Sequence, residues 1–425
     1  MRELISAYAR SIAGRLPDAR LRAVLDRAVA GVVTHCSPLI ARMASISATQ
    51  SGEPEAAAKQ LYRFFANKRV TPLALWQGLY ECTRQLVAAA TLSVVPVVID
   101  GVNLEKPYAR RTPGLSTIYK HTAANRQHDQ KLTRGFPALA CVALVADRPA
   151  LTFARLFSYT TDAFVSVKRE VLRAILTTRV VLRGSVIRFI GDRDFDDDET
   201  MACMARHGNQ FLVRAFRHRT IEVWDPTEGR WRRSSLQEYA DTLSLPARFT
   251  AAFTHSRRTR MAAVRLGYGH IRLPKPYNLE CSVIVGHADI FKKPLWLLTN
   301  APIQTVETAV SLWWQFRDRP DIEDLFRLLQ ERGFDIEDMR LRSLGRLQKL
   351  MAVVWAAAQF LWHLSLTLPP AVQQGLRRLG GKSHHLRGSN GLYLLLYGLR
   401  ALLLAYFLDR LRQDHGEQSA DGRRD

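Results

Sequence analysis

Apolar residues recur along this chain with two different periods. From residue 1 to about 90 they fall three and four apart, as in "LRAVLDRAVAGVV", which predicts amphipathic helices. "LYRFFANKRVTPLALWQGL" (61–79) continues as a basic, aromatic segment, a turn at Pro72 and another helix. That suits a helical DNA-binding domain, and equally any helix pair that turns Lys and Arg outward. At 94 the texture changes. "VVPVVID" (94–100) is β-branched and continuously apolar, as a buried central strand requires. "PALACVALVA" (137–146) and "ALTFARLFSY" (150–159) flank a turn and predict a hairpin; "SVKREVLRAILTT" (166–178) is an amphipathic helix; "SVIRFIGD" (185–192) is a second buried strand. A short helix ending at Gly208 and the strand "QFLVRAF" (210–216) complete the series. Strands mixed with helices in this order predict an α/β domain with a mixed sheet.

Residues 217–300 alternate in short segments, "TIEVWD" and "RWRRSS" around the turn "PTEG", and predict a basic β-rich insertion. After 301 the pattern is helical until the polar tail "DRLRQDHGEQSADGRRD", which is expected to be disordered. The domains expected are a helical N-terminal DNA-binding domain (1–92), a first part of the α/β core (93–216), the insertion (217–300), a second part of the core (301–370) and a helical C-terminal region with its tail (371–425).

At 425 residues the chain exceeds what one hydrophobic core usually serves. Its 61 Lys and Arg against 39 Asp and Glu, a net charge of +22, point to a polyanionic partner, nucleic acid or an anionic membrane surface. A basic surface without a specific partner is the plainer alternative. Two apolar stretches test for a membrane. Residues 351–368 contain no charged side chain, but lie at the lower limit for a span; 391–408 carry Arg400 near their middle. Both are expected to be helices buried in protein, with no membrane association. Five scattered cysteines form no CxxC pair, which argues against a disulfide framework or zinc knuckle and fits a reducing cytoplasm. The opening stretch does not read as a secretory signal.

The strand at 185–192 runs without transition into "DRDFDDDE", six acidic residues in eight positions. A calcium-binding EF-hand loop needs Gly at its sixth position and Glu at its twelfth; counted from Asp192 these are Asp197 and Cys203. Asp196, Asp197, Asp198 and Glu199 open a helix, where carboxylates cap free amides and suit the dipole. Asp192 is different: it is the first acid after a buried strand, at the end where open α/β sheets place ligands, and Asp100 ends the earlier strand in the same way. Two such carboxylates side by side repel unless a cation lies between them, and hard divalent ions such as Mg²⁺ take oxygen ligands. Taken singly, each is equally a strand-end turn or helix cap. A third acid comes from "WWQFRDRPDIEDLFRLLQERG" (313–333). On a helix, Phe316, Arg319, Glu323 and Gln330 share one arc beside the apolar arc of Ile322, Leu325, Phe326 and Leu329. A surface salt bridge between Arg319 and Glu323 is the bland alternative.

Together these stretches resemble the DDE transposases of bacterial insertion sequences. "VVIDG" is similar to the family's first-strand Asp box and "GDRDFD" to its "DRGFD" box, while "FRDRPDIEDLFRLLQ" resembles its Y-x(2)-R-x(3)-E-x(6)-K signature. The resemblance spans roughly residues 60–360. It implies a ribonuclease-H-like mixed sheet flanked by helices, interrupted by the β-rich insertion, with helical N-terminal and C-terminal domains. It also implies a catalytic, metal-binding triad of Asp100, Asp192 and Glu323 holding two Mg²⁺, with Mn²⁺ as substitute, for in-line phosphoryl displacement. Phe316, Arg319, Gln330 and Arg193 would contact DNA, and Trp224, like Trp231, is a candidate by its location in the insertion. Phe316 stands where the family has Tyr and Gln330 where it has Lys, which removes a hydroxyl and a cation from the DNA-holding set. The implied partners are double-stranded DNA (terminal inverted repeats and target) and a second copy in a synaptic dimer, in the nucleoid of a bacterial cytoplasm. A domesticated relative that binds DNA without catalysis is the alternative. His121, His128 and Lys131, between the first two strands, read as a solvated polar loop.

Overall fold

A computed structural model describes residues 2–51, 54–119, 132–145, 148–255, 258–317, 319, 325–326, 328–330, 333–383 and 393–406. Glu323, the loop bearing His121, His128 and Lys131, and the polar tail lie outside the described residues.

Five helices come first: α1 (Arg2–Ile12), α2 (Ala19–His35), α3 (Ile40–Ser51), α4 (Pro54–Ala66) and α5 (Pro72–Ala90). Their starts obey local chemistry. The Asp18 carboxylate accepts the Leu21 N–H at 2.9 Å to open α2, and Thr71 caps α5 with Pro72 in its first turn.

The chain then builds β1 (Val95–Gly101), a small three-stranded sheet of β2 (Leu104–Glu105), β3 (Ser116–Tyr119) and β4 (Leu132–Phe136), and the hairpin β5 (Ala138–Val145) and β6 (Arg148–Leu156). Next come α6 (Val167–Val181), β7 (Ile187–Gly191), α7 (Asp198–Ala205) and β8 (Gln210–Arg214). In the main sheet β1 pairs antiparallel with β5, and β5 with β6, whereas β1–β7 and β7–β8 are parallel. Strands β1 and β7 are apolar at nearly every position because helices and neighbouring strands enclose them, as parallel pairs require.

The basic segment after 217 adds β9 (Thr220–Asp225), β10 (Arg230–Ser235), the short helix α8 (Leu236–Thr242), β11 (Ala247–His255), the long β12 (Arg258–Arg272) and β13 (Glu280–Ala288). These strands do not form a sheet of their own. Through β14 (Leu295–Thr299) they continue the same sheet, in the order β10-β9-β12-β13-β14-β8-β7-β1-β5-β6, with β11 paired to β12. Helix α9 (Val306–Arg317) packs across β11, β12 and β13.

Helix α10 (Leu344–Thr367) is apolar all round and lies at the centre, against α2, α5 and β6. It is long and apolar enough to cross a membrane, yet 72% of its most apolar window is buried inside the protein. Its Lys349 donates to the carbonyls of Phe65 (3.0 Å) and Asn67 (2.8 Å), capping the end of α4. Helices α11 (Pro370–Ser383) and α12 (Tyr393–Tyr406) follow. The α/β class with one large mixed sheet flanked by helices is as the sequence predicts.

Candidate active site

The parallel pairing of β1 with β7 aligns Val98 with Ile190, so two residues further on Asp100 comes level with Asp192. Both acids therefore stand at the C-terminal ends of adjacent strands, where an open sheet exposes its ligand-binding edge. Asp100 still belongs to the ladder, paired with Ala140 of β5, and its Oδ1 accepts its neighbour's N–H, that of Gly101, at 2.8 Å. Asp192 leaves the ladder: its Oδ1 accepts the Asp194 N–H at 2.9 Å and starts a single 3₁₀ turn. Gly191 permits that turn, since a Cβ there would lie 2.9 Å from the Phe195 ring, which folds back under the strand end.

The acidic run divides between two jobs. Asp196, whose side chain is 1% exposed, is paired with Arg219 and accepts the Phe216 N–H at 2.7 Å. Arg219 also holds Asp198. Lys168 of α6 bridges Asp197 (3.1 Å) and Glu199 (2.9 Å), and Asp197 caps α7 through the Thr200 N–H. Two basic side chains thus pair with four carboxylates. Asp192 and Asp194 are not in that network, and burial together with the Asp192 charge raises the Asp194 carboxyl above its usual range. The capping role expected for all four later acids holds for Asp197; Asp196 instead ties the run to the segment after β8.

Cations gather at the same edge. Arg319 Nη1 donates to Asp100 Oδ2 at 2.8 Å, and the two side chains are 16% and 19% exposed. Arg214, at the end of β8, feels Arg193, Asp192 and Arg319, and burial pushes its guanidinium below its ordinary range. Arg193 lies over the Phe216 ring at 5.7 Å. Beside this corner opens a cavity of about 600 Å³, lined by Arg214, Lys292, Lys293, Arg317 and Arg319. No carboxylate is among its described lining residues. Its apolar wall includes Phe253, Trp313 and Phe316, and Arg317 stacks on Phe253 at 4.0 Å. The Trp313 indole N–H is buried with no hydrogen-bond partner among the described residues, facing Gly286, where a Cβ would lie 2.5 Å away.

The other residues expected at the site are placed as follows. Phe316 is buried in the cavity wall near the end of α9, and that helix closes at Arg317. Arg319 follows in a turn, its N–H bonded to the Phe316 carbonyl at 3.3 Å, so the two do not share one helix face. Gln330 donates to the Asn103 carbonyl at 2.9 Å. Trp224 is 47% exposed on the outer hairpin of β9 and β10, edge-on to Trp231, which carries Arg272 over its ring at 4.6 Å. Arg214 escaped the sequence reading, although it obeys the rule that found the two aspartates: it is the first charged residue after a buried apolar strand, at its C-terminal end. Lys292, Lys293 and Arg317 carry no comparable signal, because only the packing of α9 on the sheet brings them to one cavity.

Among the described residues no three of His, Cys, Asp and Glu form a metal-binding cluster. Asp100 and Asp192 are hard oxygen donors of the kind Mg²⁺ takes, on adjacent strand ends, and one Asp100 oxygen is held by the Arg319 guanidinium.

No family model matches the chain, and no curated protein matches it. Among solved structures, a piggyBac transposase synaptic complex with hairpin DNA is similar over 96% of this chain and 72% of that chain, at 10% identity and a TM-score of 0.38. A likeness that slight leaves strand order, register and the carboxylate corner to speak for the molecule.

Proposed function

We propose that this protein is a DNA transposase that cuts and joins the ends of a mobile element by metal-assisted phosphoryl transfer. The observation that carries the reading is the matched register of Asp100 and Asp192 on adjacent parallel strands, beside a cavity walled by cations and aromatic rings. The sheet that seats them is of the mixed kind a ribonuclease-H-like core requires, and the motif resemblance supplies Glu323 as third carboxylate. Asp100, Asp192 and Glu323 would hold Mg²⁺, or Mn²⁺ in its place, and the bound ions supply acidification of the attacking water or 3′-hydroxyl and charge stabilisation at the leaving oxygen. Arg193, Arg214 and Arg319 orient the phosphates, and Trp224 extends the DNA contact along the insertion. Cutting two ends calls for two copies on DNA, in the nucleoid of a bacterial cytoplasm.

A non-catalytic DNA-binding relative is the second reading. It draws on Gln330, which is neutral and engaged by the Asn103 carbonyl. Nicking of plasmid DNA in Mg²⁺ or Mn²⁺ separates the two. Asp100→Ala, Asp192→Ala and Glu323→Ala each abolish nicking while retaining DNA binding under the first reading; wild-type protein that binds DNA and never nicks it supports the second.

A further inference from the structure

The ion pair between Arg319 and Asp100 joins two binding sites that need the same side chain. On one side the guanidinium neutralises a carboxylate of the metal site proposed above, on which this inference rests. On the other it lines the cationic cavity together with Arg214, Lys292, Lys293 and Arg317. A carboxylate oxygen committed to a guanidinium is a poor ligand for a divalent ion, and the two cations repel at close range. Arg193, Arg214 and Arg319 gather in this corner with Asp100, Asp192 and Asp194. Arg319 is close enough to Arg214 to disfavour the Arg214 charge. An arriving phosphate relieves that repulsion and competes with Asp100 for Arg319, since the planar guanidinium fork suits phosphate as well as carboxylate.

We propose that Arg319 couples metal loading to DNA binding. Without DNA it holds Asp100 and weakens the divalent site; with a DNA phosphate in the cavity it turns to the phosphate and leaves Asp100 to the metal. Metal and DNA then bind cooperatively, each tightening the other by the same factor. The arrangement keeps the carboxylates from forming a competent metal centre before substrate is present.

The test is a titration of the full-length protein with Mn²⁺, read as loss of the free-ion electron paramagnetic resonance signal, with and without a saturating 40-base-pair duplex at low salt. Wild-type protein is expected to bind Mn²⁺ weakly alone and about tenfold or more tighter with duplex, within the usual range of coupling. Arg319→Gln is expected to bind Mn²⁺ at the tighter affinity without DNA and to gain less than about threefold from the duplex. Arg319→Lys, a milder change should the first variant fold poorly, is expected to fall between, because a lysine holds a carboxylate without the bidentate fork. Equal Mn²⁺ affinity of wild type and both variants without DNA, at a site that Asp192→Asn removes, overturns the coupling and leaves the metal site standing. Absence of any Asp192-dependent Mn²⁺ site in all of these proteins, with or without duplex, overturns the proposed function and the coupling with it.

Discussion

Asp192 and Asp196 lie four residues apart in one acidic run; Asp196 sits in a buried ion pair and Asp192 is the metal ligand proposed above, so changing each to Asn should separate stability from chemistry. In Asp196→Asn, one acceptor oxygen becomes an NH2 donor, so the side chain loses its charge and can keep only one of the two bonds Asp196 now makes, to Arg219 or to the Phe216 N–H. Breaking a buried ion pair costs about 3–5 kcal/mol. Here Asp198 remains to Arg219, so a loss of about 2–4 kcal/mol is expected. In Asp192→Asn, the amide oxygen still accepts the Asp194 N–H, and repulsion with Asp194 is relieved. Stability should therefore stay within about 0.5 kcal/mol of wild type. Nicking should respond the other way: losing a metal ligand is expected to slow Mn²⁺-dependent nicking at least about 100-fold, some 2.7 kcal/mol of barrier. Asp196→Asn should nick at near wild-type rate well below its melting temperature. Urea unfolding followed by circular dichroism and nicking of supercoiled plasmid give both readouts. Asp192→Asn as destabilising as Asp196→Asn, or nicking within tenfold of wild type, would refute the division.

Three further outcomes are expected. Gly191→Ala places a Cβ against the Phe195 ring and should cost about 1–3 kcal/mol in urea unfolding, with slowed nicking because the turn carrying Asp192 must shift. Burial pushes the Glu337 carboxyl up to about 7 from 4.5, so the fold favours its protonated form. Its contribution is full below about pH 4.5 and lost as pH rises through about 7; Glu337→Gln should gain about 2 kcal/mol on wild type at pH 8 and little at pH 4.5, whereas an equal gap at both would contradict this. Arg214→Gln should weaken duplex binding and lower the slope of log affinity against log salt by about one; an unchanged slope would remove Arg214 from the phosphate contacts.

Much of the frame was legible because buried parallel strands write themselves as unbroken apolar runs. "VVPVVID" and "SVIRFIGD" became β1 and β7, and the first acids after them are the pair brought into register. The fate of the remaining acids was not legible, because Arg219 and Lys168, which pair with four of them, lie at some distance along the chain and carry no motif. The Arg319–Asp100 pair joins residues 219 positions apart, a contact that no local period encodes. Helical spacing put Phe316 and Arg319 on one face, but α9 closes at Arg317, one position short of the Asp-Arg-Pro sequence, and the residue before a proline resists helix. The insertion was recognised as strands but not as part of the main sheet, since alternation fixes which face a strand buries and says nothing of which edge it joins.

That union has a mechanical consequence. Strand pairing connects the Trp224 hairpin to β6, with five strand spacings between β9 and β7, but β9 meets β12 at one ladder position, Arg272 opposite Glu222. At ~4.8 Å each this is about 24 Å along the sheet, near seven base pairs of duplex at 3.4 Å apiece. From β12 to the carboxylate edge that distance is set by backbone ladders, whereas the hairpin beyond hangs on one paired position and the Arg272–Glu222 ion pair at 2.6 Å, so it can pivot without disturbing the acids.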